Sequence, residues 1–237
     1  MMENTCNIAE NVRKIQFEVN ETCAKLGRNP KDIQLMGVSK TKPAEAVEQA
    51  IKAGITLFGE NRVQELQQKA PMFQKYNMPC HIIGQLQTNK VKYLPELTTC
   101  IQSVDSLKLA KEIDKQYSKH NKTAEILVEI NIGNEESKGG ISFDSAQDFI
   151  CEIAELKGLT VKGLMCVPPI CEGDLVRRYF AQMYQLFVDI RSKNVDNVNM
   201  DILSMGMSDD FKYAIMEGSN LVRVGSSIFG HRNYNIV

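Results

Sequence analysis

Short runs of apolar, often β-branched residues alternate with longer amphipathic stretches along almost the whole chain. The runs are Ile33–Val38, Thr56–Gly59, Cys80–Gly84, Cys100–Val104, Glu125–Ile130, Thr160–Val167, Ile202–Met205 and Leu221–Val224. Each is nearly continuous in apolar residues, as expected of parallel strands buried on both faces. Between them, helical spacing predicts helices over Pro43–Ala53, Asn61–Lys69, Lys90–Leu97, Ser106–His120, Ser145–Lys157, Gly173–Lys193 and Ser208–Glu217. Gly54, Gly158 and Gly218 stand at helix ends, where a left-handed residue is wanted. Eight strand-then-helix units predict a TIM-type (β/α)8 barrel, one α/β domain over residues 1–237, rather than an open doubly wound sheet. Only about a dozen residues follow the last strand, too few for a full closing helix. An N-terminal helix over Asn7–Leu26 is expected to cover the face left open. Its apolar residues Ile8, Val12, Ile15, Phe17, Val19 and Cys23 keep imperfect helical spacing.

Composition narrows the function. The 237 residues carry 28 Lys+Arg against 29 Asp+Glu, a formal charge of −1. That balance lacks the basic excess that nucleic-acid phosphates demand. A hydrophobic fraction of 43% and a charged fraction of 24% exclude wholesale disorder. No apolar run approaches the ~18 residues of a membrane span. The start, Met-Met-Glu-Asn-Thr-Cys-Asn, has neither the basic nor the apolar region of a secretory signal, so a cytoplasmic protein is expected. Cys6, Cys23, Cys80, Cys100, Cys151, Cys166 and Cys171 form no Cys-x-x-Cys pair, and His81, His120 and His231 are scattered. No metal site is expected; the thiols read as reduced, partly buried small hydrophobes. Cys166 and Cys171 flank Pro168-Pro169, and a regulatory disulfide between them is not expected.

In a barrel of this kind the chemistry sits at the C-terminal ends of the strands. The first run ends Gly37-Val38-Ser39-Lys40-Thr41-Lys42-Pro43. Desolvating an ammonium costs several kcal/mol, and burial lowers its pKa toward the free amine that a Schiff base needs. Position alone favours a plainer reading, a lysine snorkelling to solvent. The last run ends Arg223-Val224-Gly225-Ser226-Ser227, and the seventh leads into Ser204-Met205-Gly206-Met207-Ser208-Asp209-Asp210. Gly225 and Ser226 fall where barrels commonly build a phosphate site, after strands seven and eight. Each turn alone is a weak signal; with Lys40 they point to a phosphorylated aldehyde. For Arg223 two readings stand level, a ligand contact and a structural ion pair with an acid on another strand.

These residues resemble a known family. Gly37 to Pro43, Phe58-Gly59-Glu60-Asn61-Arg62-Val63-Gln64-Glu65, His81-Ile82-Ile83-Gly84-Gln85-Leu86-Gln87-Thr88-Asn89-Lys90, Lys138-Gly139-Gly140, Gly163-Leu164-Met165, Leu203 to Asp210 and Arg223 to Gly230 occur in order. Together they resemble the pyridoxal phosphate homeostasis proteins, also called proline synthase co-transcribed homologues, almost end to end. Gln85 departs from the family's frequent small residue or proline, and Ser226 from a frequent threonine. The resemblance implies a barrel like the N-terminal domain of alanine racemase. It implies pyridoxal 5′-phosphate (PLP) as an aldimine on Lys40, with a phosphate cup of Ser204, Gly225 and Ser226. It also implies Arg223 against the pyridine nitrogen, and Asn61 and Met205 near the ring. A permanent cation there disfavours ring protonation and weakens carbanion chemistry.

The other candidates have plainer readings. His81 opens the third strand, away from the expected site, and reads as a packing or surface histidine. Lys90 and Asn89 read as the surface start of a helix, Glu60 and Arg62 as partners for their neighbours, and Met165 as barrel packing. The loop Gly133–Gly140 reads as an exposed loop by default, with a lid or a partner surface as the alternatives. Racemases of this fold complete their site with a second domain and subunit; here only Lys40 is evident as an acid/base. The expectation is therefore a monomeric PLP carrier that buffers the aldehyde and delivers it to apo-enzymes, without robust catalysis. The alternatives are a slow PLP-dependent racemase-like enzyme and a class I aldolase acting on a sugar phosphate.

Overall fold

The computed structural model describes residues 7–136 and 138–230. Cys6, His231 and Ser137 lie outside the described residues. Eight parallel strands close on one another: β1 (Gln34–Val38), β2 (Leu57–Glu60), β3 (Cys80–Ile82), β4 (Cys100–Val104), β5 (Ala124–Asn131), β7 (Leu159–Cys166), β8 (Val198–Ser204) and β9 (Leu221–Val224). β1 sits between β2 and β9, with Gly37 beside both Phe58 and Val224. The β4–β5 pairing, Ile101 with Ile126 and Val104 with Val128, completes the ring. The expected (β/α)8 barrel is what the chain forms. One pairing was not expected: β6 (Ile141–Ser142) adds to the edge of β5 at Ile130 and Asn131.

The helices wrap outside it: α1 (Ile8–Leu26), α2 (Ala44–Lys52), α3 (Val63–Lys75), α4 (Leu107–Lys119), α5 (Ala146–Ala154), α6 (Asp174–Ser192), α7 (Phe211–Met216) and α8 (Ser226–Phe229). Most buried apolar side chains fill the layer between helices and strands, and two smaller clusters fill the barrel interior. α1 buries Ile8, Val12, Ile15, Val19 and Cys23, a single stripe at spacings of three and four. Phe17 breaks that spacing because it points outward, 64% exposed. Asn11 Nδ2 donates to the Ile228 carbonyl at 3.0 Å, and Lys212 on α7 pairs with Glu18 at 3.0 Å. The first helix thus covers the flank that four-residue α8 leaves open.

Three expectations need correction. The helix expected over Asn61–Lys69 runs on to Lys75 with Pro71 inside it, because Phe73 packs on Phe58 with ring centroids 5.4 Å apart. An aromatic pair of this kind contributes about 1 kcal/mol beyond its buried area. The third crossover is a 3-10 helix, Thr88–Tyr93, rather than an α-helix over Lys90–Leu97. Gly54 and Gly218 do take positive φ, but Gly158 does not. It is a close-approach glycine: a Cβ there would lie 2.4 Å from the Asp114 carbonyl oxygen. Among the described residues no helix is long and apolar enough to cross a membrane.

Candidate functional site

At the C-terminal mouth of the barrel lies a cavity of about 360 Å³ lined by Val38, Lys40, Asn61, Ile83, Val167, Met207, Ser208, Asp209, Arg223, Gly225 and Ser226. Five of the sequence candidates therefore meet there: Lys40, Asn61, Arg223, Gly225 and Ser226. Lys40 is half-buried, two residues beyond the end of β1. Asn61 follows β2 directly, and Gly84 lets it sit where it does. A Cβ on Gly84 would lie 2.6 Å from the Asn61 carbonyl oxygen and 2.8 Å from its Cα.

Ser204 and Met205 are set apart from the cavity. Ser204 is fully buried, and its hydroxyl accepts from Arg223 Nη1 at 2.7 Å while donating to Gln102 Oε1 at 2.7 Å. Gln102 in turn meets His81 Nδ1 at 2.8 Å. One polar chain, Arg223–Ser204–Gln102–His81, thus crosses the barrel interior, with the second guanidinium nitrogen of Arg223 on the Cys166 carbonyl at 2.8 Å. The cup expected of Ser204 is spent on this chain. Met205 packs outward, in the layer shared with the helices. The Arg223 hydrogen-bond partners are therefore a serine and a carbonyl, while the β5 carboxylate of Glu129 acts on it through charge alone.

In place of Ser204 the cavity has Ser208, which sequence reasoning quoted within a motif but did not single out. Its Oγ accepts from the amides of Gly225 at 3.2 Å and Ser227 at 3.3 Å, tying the β8 and β9 turns together. Gly225's amide is thus engaged, whereas the amide and hydroxyl of Ser226 have no hydrogen-bond partner among the described residues. Gly206, at φ 94°, shapes the turn between, and its carbonyl accepts from Arg223 N at 2.9 Å.

The charges are uneven. Burial pulls the Arg223 guanidinium down from its ordinary value, with Glu129 and Asp210 acting against that shift. Leu127 belongs to an interior cluster, so Glu129, two residues on, faces the barrel interior on the same side of β5. Burial, helped by Asp105, pushes its carboxyl up to about 7, against the pull of Arg223. Burial also lowers His81 to about 4, so this packing histidine is neutral.

Beneath Lys40, Glu60 is fully buried and Lys69 nearly so. Lys69 Nζ donates to Glu60 Oε1 at 2.6 Å and to the Ser39 carbonyl at 2.7 Å, and the Ser39 hydroxyl donates to the same Glu60 oxygen at 2.6 Å. Glu60 does pair with neighbours; its partner Lys69 was missed because it reads as a polar position near the end of an amphipathic stretch. Arg62 is exposed, and Asn89 likewise. Lys90 lines a second depression of about 580 Å³ that shares Asn61 with the first. Met165 packs with Cys100 and Leu127 inside the barrel. The loop after β5 is knitted by Asn131, whose amide donates to the carbonyls of Glu135 at 2.9 Å and Lys138 at 3.3 Å. Cys166 and Cys171 are both free thiols.

A family model described as alanine racemase, N-terminal domain, matches residues 6–233. The pyridoxal phosphate homeostasis protein of Aquifex aeolicus is 38% identical over 229 residues, 96% of this chain and 100% of that one. The chain belongs to that family. A second member, from Pasteurella multocida, is 38% identical over 231 residues, covering 96% of this chain and 99% of its own. Among solved structures, PipY of Synechococcus elongatus with PLP bound is similar at a TM-score of 0.77 and 29% identity, covering 90% of this chain and 100% of that one.

Proposed function

We propose that this chain holds PLP covalently on Lys40 and serves PLP homeostasis by buffering the aldehyde and handing it to apo-enzymes. The observation that carries the reading is the cavity itself, which gathers an amine, a buried guanidinium and the amide and hydroxyl of Ser226, unengaged among the described residues. Those residues fit a small phosphorylated aldehyde: a nucleophile for the carbonyl, donors for the anionic tail and a cation for the ring. When bound, PLP would supply an electrophilic carbonyl for the amine. Lys40 provides that amine. Ser226 provides donors for the phosphate, with Ser208 holding the neighbouring turn in place. Arg223, fixed at three points by Ser204, the Cys166 carbonyl and its own backbone bond to Gly206, keeps a positive charge where a pyridine nitrogen would otherwise take a proton. Asn61 borders the ring position. The relatives' shared name and the PLP in PipY support the same reading.

The test follows the purified protein's absorption before and after borohydride, with peptide mapping of the reduced adduct. A label on the peptide containing Lys40, lost in Lys40→Ala, is the expected result. Delivery is tested by mixing the loaded protein with an apo-enzyme that needs PLP. Recovery no faster than with free PLP at equal concentration rejects the carrier role. Exchange of an amino acid's α-hydrogen for deuterium, dependent on Lys40, would instead establish the racemase-like alternative.

A further inference from the structure

Helix α3 reaches back to the turn that presents Lys40 at two points one helical turn apart. Glu65 Oε2 accepts from the Thr41 amide at 2.6 Å, and Lys69 Nζ donates to the Ser39 carbonyl at 2.7 Å. The two contacts flank Lys40 on either side, and residues four apart share one face of a helix. Thr41 holds φ at 64°, a left-handed conformation that a β-branched residue adopts only when its surroundings enforce it. Glu65 supplies that enforcement by taking its N–H. On the other side Lys69 is locked by Glu60, which also takes the Ser39 hydroxyl. Lys42 completes the restraint, donating to the carbonyls of Phe229 at 2.7 Å and Gly230 at 3.0 Å.

A buried ion pair contributes little net stability compared with apolar residues of the same shape. Here the pair spends a donor and an acceptor on a single serine next to the reactive lysine. We infer that Glu65 and Lys69 are positioning residues that hold the Lys40 amine in the cavity and thereby set its reactivity. The inference deepens the cofactor reading above and rests on it for its meaning, but Lys40's own reactivity can be read without PLP.

The experiment compares wild type with Glu65→Ala, Glu65→Gln and the double variant Glu60→Gln/Lys69→Met. The first two change a half-buried residue, so they also cover the case in which the double variant fails to fold. The first readout is acetylation of Lys40 by acetic anhydride, measured by peptide mass spectrometry against exposed Lys31. The second is the rate of PLP attachment, followed by absorbance and borohydride trapping. In Glu65→Ala the Lys40 labelling rate is expected to converge on that of Lys31, and PLP attachment to slow about tenfold, short of the roughly hundredfold cost of a misplacement of about 1 Å. Glu65→Gln, which keeps an acceptor oxygen for Thr41, restores most of that loss, a pattern that a merely structural role does not produce. Labelling and attachment in Glu65→Ala that stay within about twofold of wild type overturn the inference. If wild type never binds PLP at Lys40 yet the labelling pattern shifts as stated, the clamp stands and the cofactor reading falls.

Discussion

Replacing Ser204 by alanine separates two assignments of that hydroxyl. As part of a phosphate cup, Ser204 would matter only when PLP is present. In the structure its Oγ instead bridges Arg223 and Gln102, each at 2.7 Å, at a fully buried position. Ser204→Ala therefore leaves a guanidinium N–H and an amide oxygen without that partner. Gln102 keeps its contact with His81, and Arg223 keeps the Cys166 carbonyl. Leaving one buried polar group unsatisfied costs roughly 1–3 kcal/mol, more when it is charged, so the combined loss is about 3 kcal/mol. For a chain of this length that corresponds to a fall in Tm of roughly 6–12 °C. The assay is thermal and urea unfolding of the PLP-free protein, followed by circular dichroism, with PLP affinity measured separately. An unchanged Tm in the apo-protein, together with a large loss of PLP affinity, would refute the reasoning and restore Ser204 to the cup.

Other substitutions have equally definite outcomes. Gly84→Ala drives a methyl into the Asn61 backbone and is expected to cost about 1–3 kcal/mol in urea unfolding while weakening PLP attachment. Phe17→Ser changes an exposed side chain and should leave the urea midpoint within about 0.5 kcal/mol of wild type, which a core phenylalanine would not. Glu129 binds its proton more tightly folded than unfolded, about 7 against 4.5. Its contribution is complete below pH 4.5 and is lost as pH rises through about 7. Glu129→Gln should therefore raise stability above pH 7 and flatten the profile between 5 and 7, read from Tm across that range. His81 acts oppositely, because its folded value is about 4 against 6.5 unfolded. It loses stabilisation as pH falls from 6.5 toward 4, and His81→Gln should lessen that acid-side loss.

The barrel was legible because periodicity records burial directly. All eight strand runs have their strands, and helix positions followed from the stretches between. What escaped was long-range or depended on direction. The sequence cannot show that Phe73 packs on Phe58, which carries α3 past Pro71. Nor does it show which face of β8 Ser204 and Met205 occupy, since one residue of parity sends a side chain into the barrel or out to the helices. Lys40, Arg223, Gly225 and Ser226 stood out because they end strands or turns, and Asn61 was implied by the family resemblance; all five line the cavity. Ser208, Glu129 and Lys69 were missed for a common reason. Each becomes informative only through a partner distant in sequence: the Gly225 amide, Arg223, and the pair of Ser39 and Glu60. Glu129 left one trace, a carboxylate between the apolar Val128 and Ile130 of its run.

Pairing of β1 with β9, and of α1 with α8, has a consequence for how the chain is made. β1 and α1 have early partners in β2 and α2, but each also needs elements made much later. Until β9 and α8 are made, one edge of β1 stays unpaired and part of the apolar stripe of α1 stays uncovered, the condition in which partly made chains aggregate. Closure of the barrel therefore waits for β9. The turn that carries Lys40, tied by Lys42 to the carbonyls of Phe229 and Gly230, gains that restraint only once the residues after β9 are in place.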